Sequence, residues 1–352
     1  MEQFPQFDVV SDFSDHKFIS TATSYLPRAA TRAVMKEWKI LEKNLPAGSV
    51  FVRAYDSRVD LLRAAIVGPQ KTPYHDGLFF FDFQFPPNYP DAPPKAHYWS
   101  FGRYLNPNLY ENGLVCLSLL NTWRGPKETR WQPGVSTMLQ VLVSIQALVL
   151  NHAPLHNEPM LLVKLWTTSS TYNDAAFVLS CRTMLSLLRR PPRGFGRLLE
   201  HHFRARAHAI LTACQVYLNG FARVGDYEYD ERRRRRAPRL FASEEEEQQR
   251  RVSVNSDFKR LLKIEYKALV IAFSKYDPSL KGFSDELERM VDDAVKSSIP
   301  PGIFCSLSLL FRKCWEWMVG WRACNVGASV MEIWRFKAVP YVKLKSTVKP
   351  FH

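Results

Sequence analysis

The stretch Ile66–Pro94, IVGPQKTPYHDGLFFFDFQFPPNYPDAPP, decides the fold. Its centre, Leu78–Phe85, is rich in aromatic residues and bounded by Gly77 and Pro86, as a β-strand is. Pro86–Pro94 then carries too much proline for a helix or a central strand and reads as a stiff extended connection. Moving upstream, Leu61–Val67 and Phe51–Tyr55 are short apolar runs separated by the polar Asp56–Arg58, so strands follow one another in sequence. Before them, Ala29–Leu45 has helical spacing. Val34, Trp38, Leu41 and Leu45 share one face, Arg32, Lys36, Lys39 and Lys43 the opposite one, and Pro46 and Gly48 stop the helix. Residues 1–28 are mixed and polar and read as an extended arm.

Downstream, residues 106–134 hold Asn106, Pro107, Gly113, Gly125, Pro126, Pro133 and Gly134, the make-up of a long irregular loop, which is uncommon in a compact domain unless it has work to do. Ser136 is placed to cap a helix running through Leu150, with Met138, Leu142, Ile145 and Val149 facing the core. Helix, sequential strands, loop and helices together predict an α+β fold, an antiparallel meander sheet flanked by helices. Beyond residue 160 the pattern is mainly helical. Leu199, Phe203, Ile210, Cys214 and Tyr217 keep helical spacing in Arg197–Asn219, and a helical pattern returns over Asp257–Phe273. Between them lie the low-complexity runs Arg232–Arg236 and Glu244–Glu247. The expected organisation is an arm (1–28), a core (29–176), a helical extension (177–225), a charged linker (226–255) and a helical, Trp-rich C-terminal region of unassigned role (256–352).

A formal net charge of +14 over 352 residues suits an acidic partner, whether nucleic acid, a membrane surface or an acidic protein face, and equally a solvated basic surface. The cysteines, Cys116, Cys181, Cys214, Cys305, Cys314 and Cys324, include no CxxC pair, which argues against zinc, and their scatter is unlike a secreted disulfide scaffold. The N-terminus lacks the basic and apolar regions of a signal peptide. The apolar stretch Ile303–Trp321 is interrupted by Arg312, Lys313 and Glu316, so it is not expected to span a bilayer. A reducing compartment follows, where cysteines remain thiols.

One of those thiols stands in NPNLYENGLVCLSLL, Asn106–Leu120; a lone loop cysteine is more often structural than reactive, and its context here favours reactivity. Cys116 follows a turn-rich polar stretch and precedes Leu117, Leu119 and Leu120, which anchor it to the core, while Asn108 is close enough to reach back across the loop. These residues, with the GP, PY-x-x-G, FP-x-x-YP and PP order of Ile66–Pro94, resemble the ubiquitin-conjugating enzyme family. Its catalytic segment places the nucleophilic cysteine at the spacing that separates Cys116 from Asn108. The words FVRAYDSRVDLLRAAIVG, NPNLYENGLVCLSLLNTWRG and STMLQVLVSIQALVLN are most similar to the branch of large hybrid conjugating and ligase enzymes and their shorter plant relatives. Residues 177–225 resemble the extension of that branch, and residues 256–274 do so loosely.

The resemblance implies a thioester on Cys116, accepted from the ubiquitin-activating enzyme and passed to a lysine. Asn108 is then an oxyanion donor, a brace for the loop, or both. Ser118 stands where many members have Asp, and Asn106 where the wider family has His. Glu158 matches an acidic residue that helps the acceptor lysine, or is a solvated loop acid. His97 and His152 are further groups that the fold could bring near Cys116. The basic helix face (Arg32, Lys36, Lys39, Lys43) inherits docking to the activating enzyme, or is only solvated. The arginine run is a nuclear-localisation or nucleic-acid patch, or a tether. Expected partners are ubiquitin, the activating enzyme, and a ligase or protein substrate, without a membrane and with nucleic acid disfavoured because aromatic residues do not interleave the arginines. No cofactor is expected on the chain itself, ATP being used by the activating enzyme. The expected location is the cytoplasm, with the nucleus as a second site. The rival readings are a hybrid that selects its own substrates, an inactive member acting as a binding module, and a basic nucleic-acid binder.

Overall fold

The computed structural model describes residues 4–21, 26–123, 125–157, 168–229 and 251–283. A five-stranded sheet forms the centre, in the order β1 (Phe7–Val10), β2 (Val50–Tyr55), β3 (Leu61–Val67), β4 (Leu78–Gln84) and β5 (Lys95–Tyr98). β2 to β5 make the expected antiparallel meander. β1 corrects the reading of residues 1–28: part of the arm is a strand, and it pairs parallel to β2 with Phe7 opposite Val52, so the sheet is mixed. β5 was also missing from the expected strands.

The helices are α1 (Arg28–Asn44), α2 (Met138–Ser144), α3 (Ser169–Arg189), α4 (Gly196–Leu218) and α5 (Ser256–Phe273). The cap of α2 is Thr137 and not Ser136. Its hydroxyl accepts from Gln140 N while the Gln140 side chain accepts from Thr137 N, a reciprocal box that Ser136, with Leu139 three residues on, cannot form. The expected helix through Leu150 changes character at Ile145–Val149, a π-helical turn closed by Leu150 N–H on the Ile145 carbonyl.

β2, β3 and β4 alternate between two buried faces, which is why β4 is buried at every position. On the first face, Val52, Ala54, Leu62, Ala64, Phe79, Phe81 and Phe83 join α1, α2 and the 105–120 segment in one apolar cluster. On the second, Phe51, Ala65, Leu78 and Phe80 pack under α3, α4 and α5. The rest of that face is polar. Arg63 and Asp82 oppose each other across β3 and β4 and pair bidentately at 2.6 and 2.9 Å, both fully buried. The arm lies over them: Asp15 accepts from Arg63 at 2.6 Å, and Lys17 N–H donates to Asp82 at 2.8 Å. Burial works against the Asp82 charge, and the Arg63 guanidinium more than offsets it, holding the carboxyl below its ordinary value. Arg53 is stacked on Phe4 at 4.1 Å and faces Phe195 at 5.3 Å.

The extension is continuous with this architecture. α3 runs without interruption through residues 176 and 177. His75 and Asp76, both buried, pair at 2.8 Å and are gripped by α4. His202 Nε2 lies 2.9 Å from the Asp76 carbonyl oxygen, and Tyr217 Oη lies 3.0 Å from His75 Nε2. The Arg232–Arg236 and Glu244–Glu247 runs and residues 284–352, with Cys305, Cys314, Cys324 and the C-terminal tryptophans, lie outside the described residues.

Candidate active site

The segment that carries Cys116 is held from both ends. Upstream, Asn106 is fully buried; its amide donates to Tyr74 Oη at 2.8 Å and to the Val149 carbonyl at 2.7 Å. The acceptor on Val149 is at the end of the π-helical turn, so the change of helix type delivers a carbonyl to this asparagine. Tyr74 comes from the 68–77 loop, whose tight entry requires glycine, since a side chain on Gly68 would collide with the Tyr74 carbonyl. Asn106 Oδ1 in turn accepts from Asn108 N–H at 2.8 Å.

Asn108 and Cys116 then clasp each other. Cys116 N–H donates to the Asn108 carbonyl at 2.9 Å, and Asn108 Nδ2 donates to the Cys116 carbonyl at 3.1 Å. Downstream, the Thr122 hydroxyl donates to the Val115 carbonyl at 2.6 Å and accepts from Leu117 N–H at 3.0 Å. The backbone on both sides of Cys116 is therefore fixed by side chains, and Leu117 and Leu120 root it in the apolar cluster as expected. Cys116 is in no disulfide and is 6% exposed. Of the other described cysteines, Cys181 and Cys214 are fully buried in the α3–α4 packing, where the Cys214 thiol and burial push the Cys181 thiol up, away from reactivity.

Ser118 opens a 3-10 turn two residues past Cys116 and is half-buried. The 121–131 segment folds back onto it: a side chain at Gly125 would run into Ser118 Oγ and come within 2.7 Å of Thr129 Oγ1. Trp131 anchors this segment by donating to the Pro90 carbonyl at 2.7 Å. His97, on β5, is half-buried against Gly113, and burial lowers its pKa. His152 is exposed, and its carbonyl accepts from Asn173 on α3 at 2.9 Å. Glu158 lies outside the described residues.

Arg32, Lys36, Lys39 and Lys43 are all exposed on α1, opposite its buried stripe. That stripe holds a residue the sequence reading passed over. Glu37 is 6% exposed, accepts from Tyr89 Oη at 2.7 Å and from Met138 N–H at 2.9 Å, and so joins α1 to the Pro-rich connection and to the start of α2. Burial raises its pKa against those two donors. The signal was its spacing: Glu37 falls three residues after Val34 and four before Leu41, inside the apolar face. Thr122 gave no comparable sign. Among the described residues, no group of His, Cys, Asp and Glu could hold a metal ion.

The region containing this clasp, residues 33–177, matches the family model described as ubiquitin-conjugating enzyme. An Arabidopsis thaliana protein carrying the name ubiquitin-conjugating enzyme E2 38 is 49% identical over 227 residues, covering 62% of this chain and 69% of that protein. The chain belongs to the ubiquitin-conjugating enzyme family. Another Arabidopsis thaliana relative, carrying the name ubiquitin-conjugating enzyme E2 25, is 50% identical over 224 residues, but the match spans only 37% of its length. A human relative named dual E2 ubiquitin-conjugating enzyme/E3 ubiquitin-protein ligase BIRC6 is 34% identical over 253 residues, 65% of this chain and 5% of that protein. The 224- to 253-residue matches are longer than the family model's 33–177 span.

Proposed function

We propose that this chain accepts ubiquitin from the activating enzyme as a thioester on Cys116 and transfers it to a lysine of a protein substrate. The observation that carries the reading is the Asn108–Cys116 clasp, which presents a single loop cysteine at the family's spacing. Charging exchanges one thioester for another, with the Cys116 thiolate attacking and the activating enzyme's thiolate leaving. In transfer, the lysine amine attacks the carbonyl carbon, the C–S bond breaks, an amide forms, and the amine's proton passes to solvent or to the released thiolate.

Asn108 is suited to both of its roles. One N–H of its amide holds the Cys116 carbonyl, and the amide carries a second donor for a developing oxyanion. Ser118 is a polar neighbour of the approaching amine, and Glu158 is a carboxylate for its proton. The exposed cations Arg32, Lys36, Lys39 and Lys43 offer an acidic activating enzyme a docking face. In this scheme the chain needs no bound cofactor, ATP is spent by the activating enzyme, and a ligase brings the substrate. No helix among the described residues is long and apolar enough to cross a membrane. The reading places the protein in the cytoplasm, with access to the nucleus.

Incubation with activating enzyme, ATP and ubiquitin should give an adduct that reductant removes. In Cys116→Ser the reductant-sensitive adduct should vanish, leaving either a resistant ester or nothing; a surviving sensitive adduct refutes the assignment. Reversing Lys36 and Lys39 to Glu should slow charging several-fold at low ionic strength, with the difference shrinking as salt rises. Equal charging rates at low salt would reduce this face to solvated surface.

A further inference from the structure

The turn between α3 and α4 reads RRPPRGFGR, Arg189–Arg197. It is a rigid platform. Phe195 is fully buried, meets Phe80 edge-on at 5.0 Å and donates its N–H to the Pro192 carbonyl at 3.1 Å. Arg189, Arg190, Arg193 and Arg197 stand exposed around that anchor. Arg189, Arg190 and Arg197 have no ion-pair partner among the described residues, whereas Arg193 already meets carboxylates. Its N–H donates to Asp15 at 2.9 Å, and its Nε lies 3.8 Å from Asp12. The surface thus binds an acidic stretch of this chain's own arm on one side and offers three further guanidinium groups beyond it.

Beside the turn, α3 is tied to the segment that precedes Asn106. Arg103, three residues before Asn106, donates to Ser186 on α3 at 2.9 Å. Burial lowers the Arg103 pKa, and its neighbour Arg182 is already paired with Glu265 at 2.8 Å. Guanidinium groups bind carboxylates bidentately, and the turn's own aromatic residue, Phe195, is buried and so presents no face for a nucleic-acid base.

We propose that the Arg189–Arg197 turn recruits acidic segments of acceptor proteins for conjugation. This rests on the conjugating reading above and names its substrate class. It is tested on the full chain with two fluorescent peptides of equal length and one lysine each, flanked by glutamates in one and by serines in the other. At low salt the uncharged chain should bind the acidic peptide roughly tenfold more tightly, as expected from a few exposed ion pairs. Arg189→Glu/Arg190→Glu/Arg197→Glu should abolish the preference, while Arg189→Lys/Arg190→Lys/Arg197→Lys should weaken it and keep its direction. The ubiquitin-charged chain should discharge faster to the acidic peptide by a similar factor.

Equal binding of the two peptides, or a preference that survives the glutamate triple, overturns the proposal. So does tighter binding of a single-stranded oligonucleotide of the same charge that the glutamate triple loses. Charging and discharge to free lysine, run in parallel, separate the two readings. A chain that charges without discriminating between peptides loses this proposal alone. A chain that fails to charge loses the conjugating reading, and peptide binding still decides the surface.

Discussion

The two faces of the sheet are buried by different means. The first is apolar throughout and closes against α1, α2 and the Cys116 segment. The second is apolar only under α3, α4 and α5; its remainder is a charged interior of Arg53, Arg63 and Asp82 roofed by the arm. An apolar face tolerates imperfect partners, whereas a buried charge is stable only when every partner is present. The first face should therefore govern chemistry and the second should govern whether the molecule holds together.

Arg63→Met is the strongest way to break that division. It leaves Asp82 buried without its partner and should cost about 3–5 kcal/mol in urea unfolding, while Arg63→Met/Asp82→Leu should recover much of the loss. The folded fraction of Arg63→Met should still charge; loss of thioester formation at full folding would show the faces to be coupled. Asn108→Ala tests the other side. Discharge to lysine should slow roughly a hundredfold, about 2.7 kcal/mol, with a much smaller change in stability. A single-turnover discharge rate equal to wild type would remove Asn108 from the chemistry and leave it as a brace.

The gentlest effect is on pH. Burial holds His16, in the arm, and His202, against Asp76, below the ordinary 6.5. The unfolded chain takes up these protons first on acidification. The stability gained by keeping both neutral is therefore full above about 6.5 and is lost as pH falls below it toward their folded values. Asp76 and Asp82, held below 3.8, add stability present above that value and lost as pH falls through their lower folded values. The urea midpoint should decline from near pH 6.5 downward, and a flat profile to pH 5 would contradict the buried neutral histidines.

Most of the first face was legible in sequence because it rests on periodicity and on motif spacing. α1, β2, β3 and β4 fall within a residue or so of their expected limits, and Asn108 and Cys116 meet as their spacing implied. On the second face α4 and α5 were legible to within a residue, but the sheet edges and the buried charges were not. β1 is only FDVV, and its partner lies some forty residues on, so no local pattern marks it. β5, KAHY, is too short and polar to stand out after Pro94. The Arg63–Asp82 pair depends on a register that no single strand displays. Choosing Thr137 over Ser136 needed only the Gln140 spacing, a signal present in the sequence and missed. A truncation beyond residue 180 would test the extension poorly, since it would uncover Phe51, Leu78 and Phe80.

Asp15 has a consequence for the order in which the protein can assemble. Its carboxylate binds Arg63 and also the N–H of Arg193, a contact spanning 178 residues. On the ribosome, the arm emerges long before the α3–α4 turn that completes its seat. Throughout that interval Arg53 lacks Phe195 and Asp15 lacks half of its partners. The nascent core must therefore travel with one charged and aromatic face unsealed until the α3–α4 turn, and after it α5, are made.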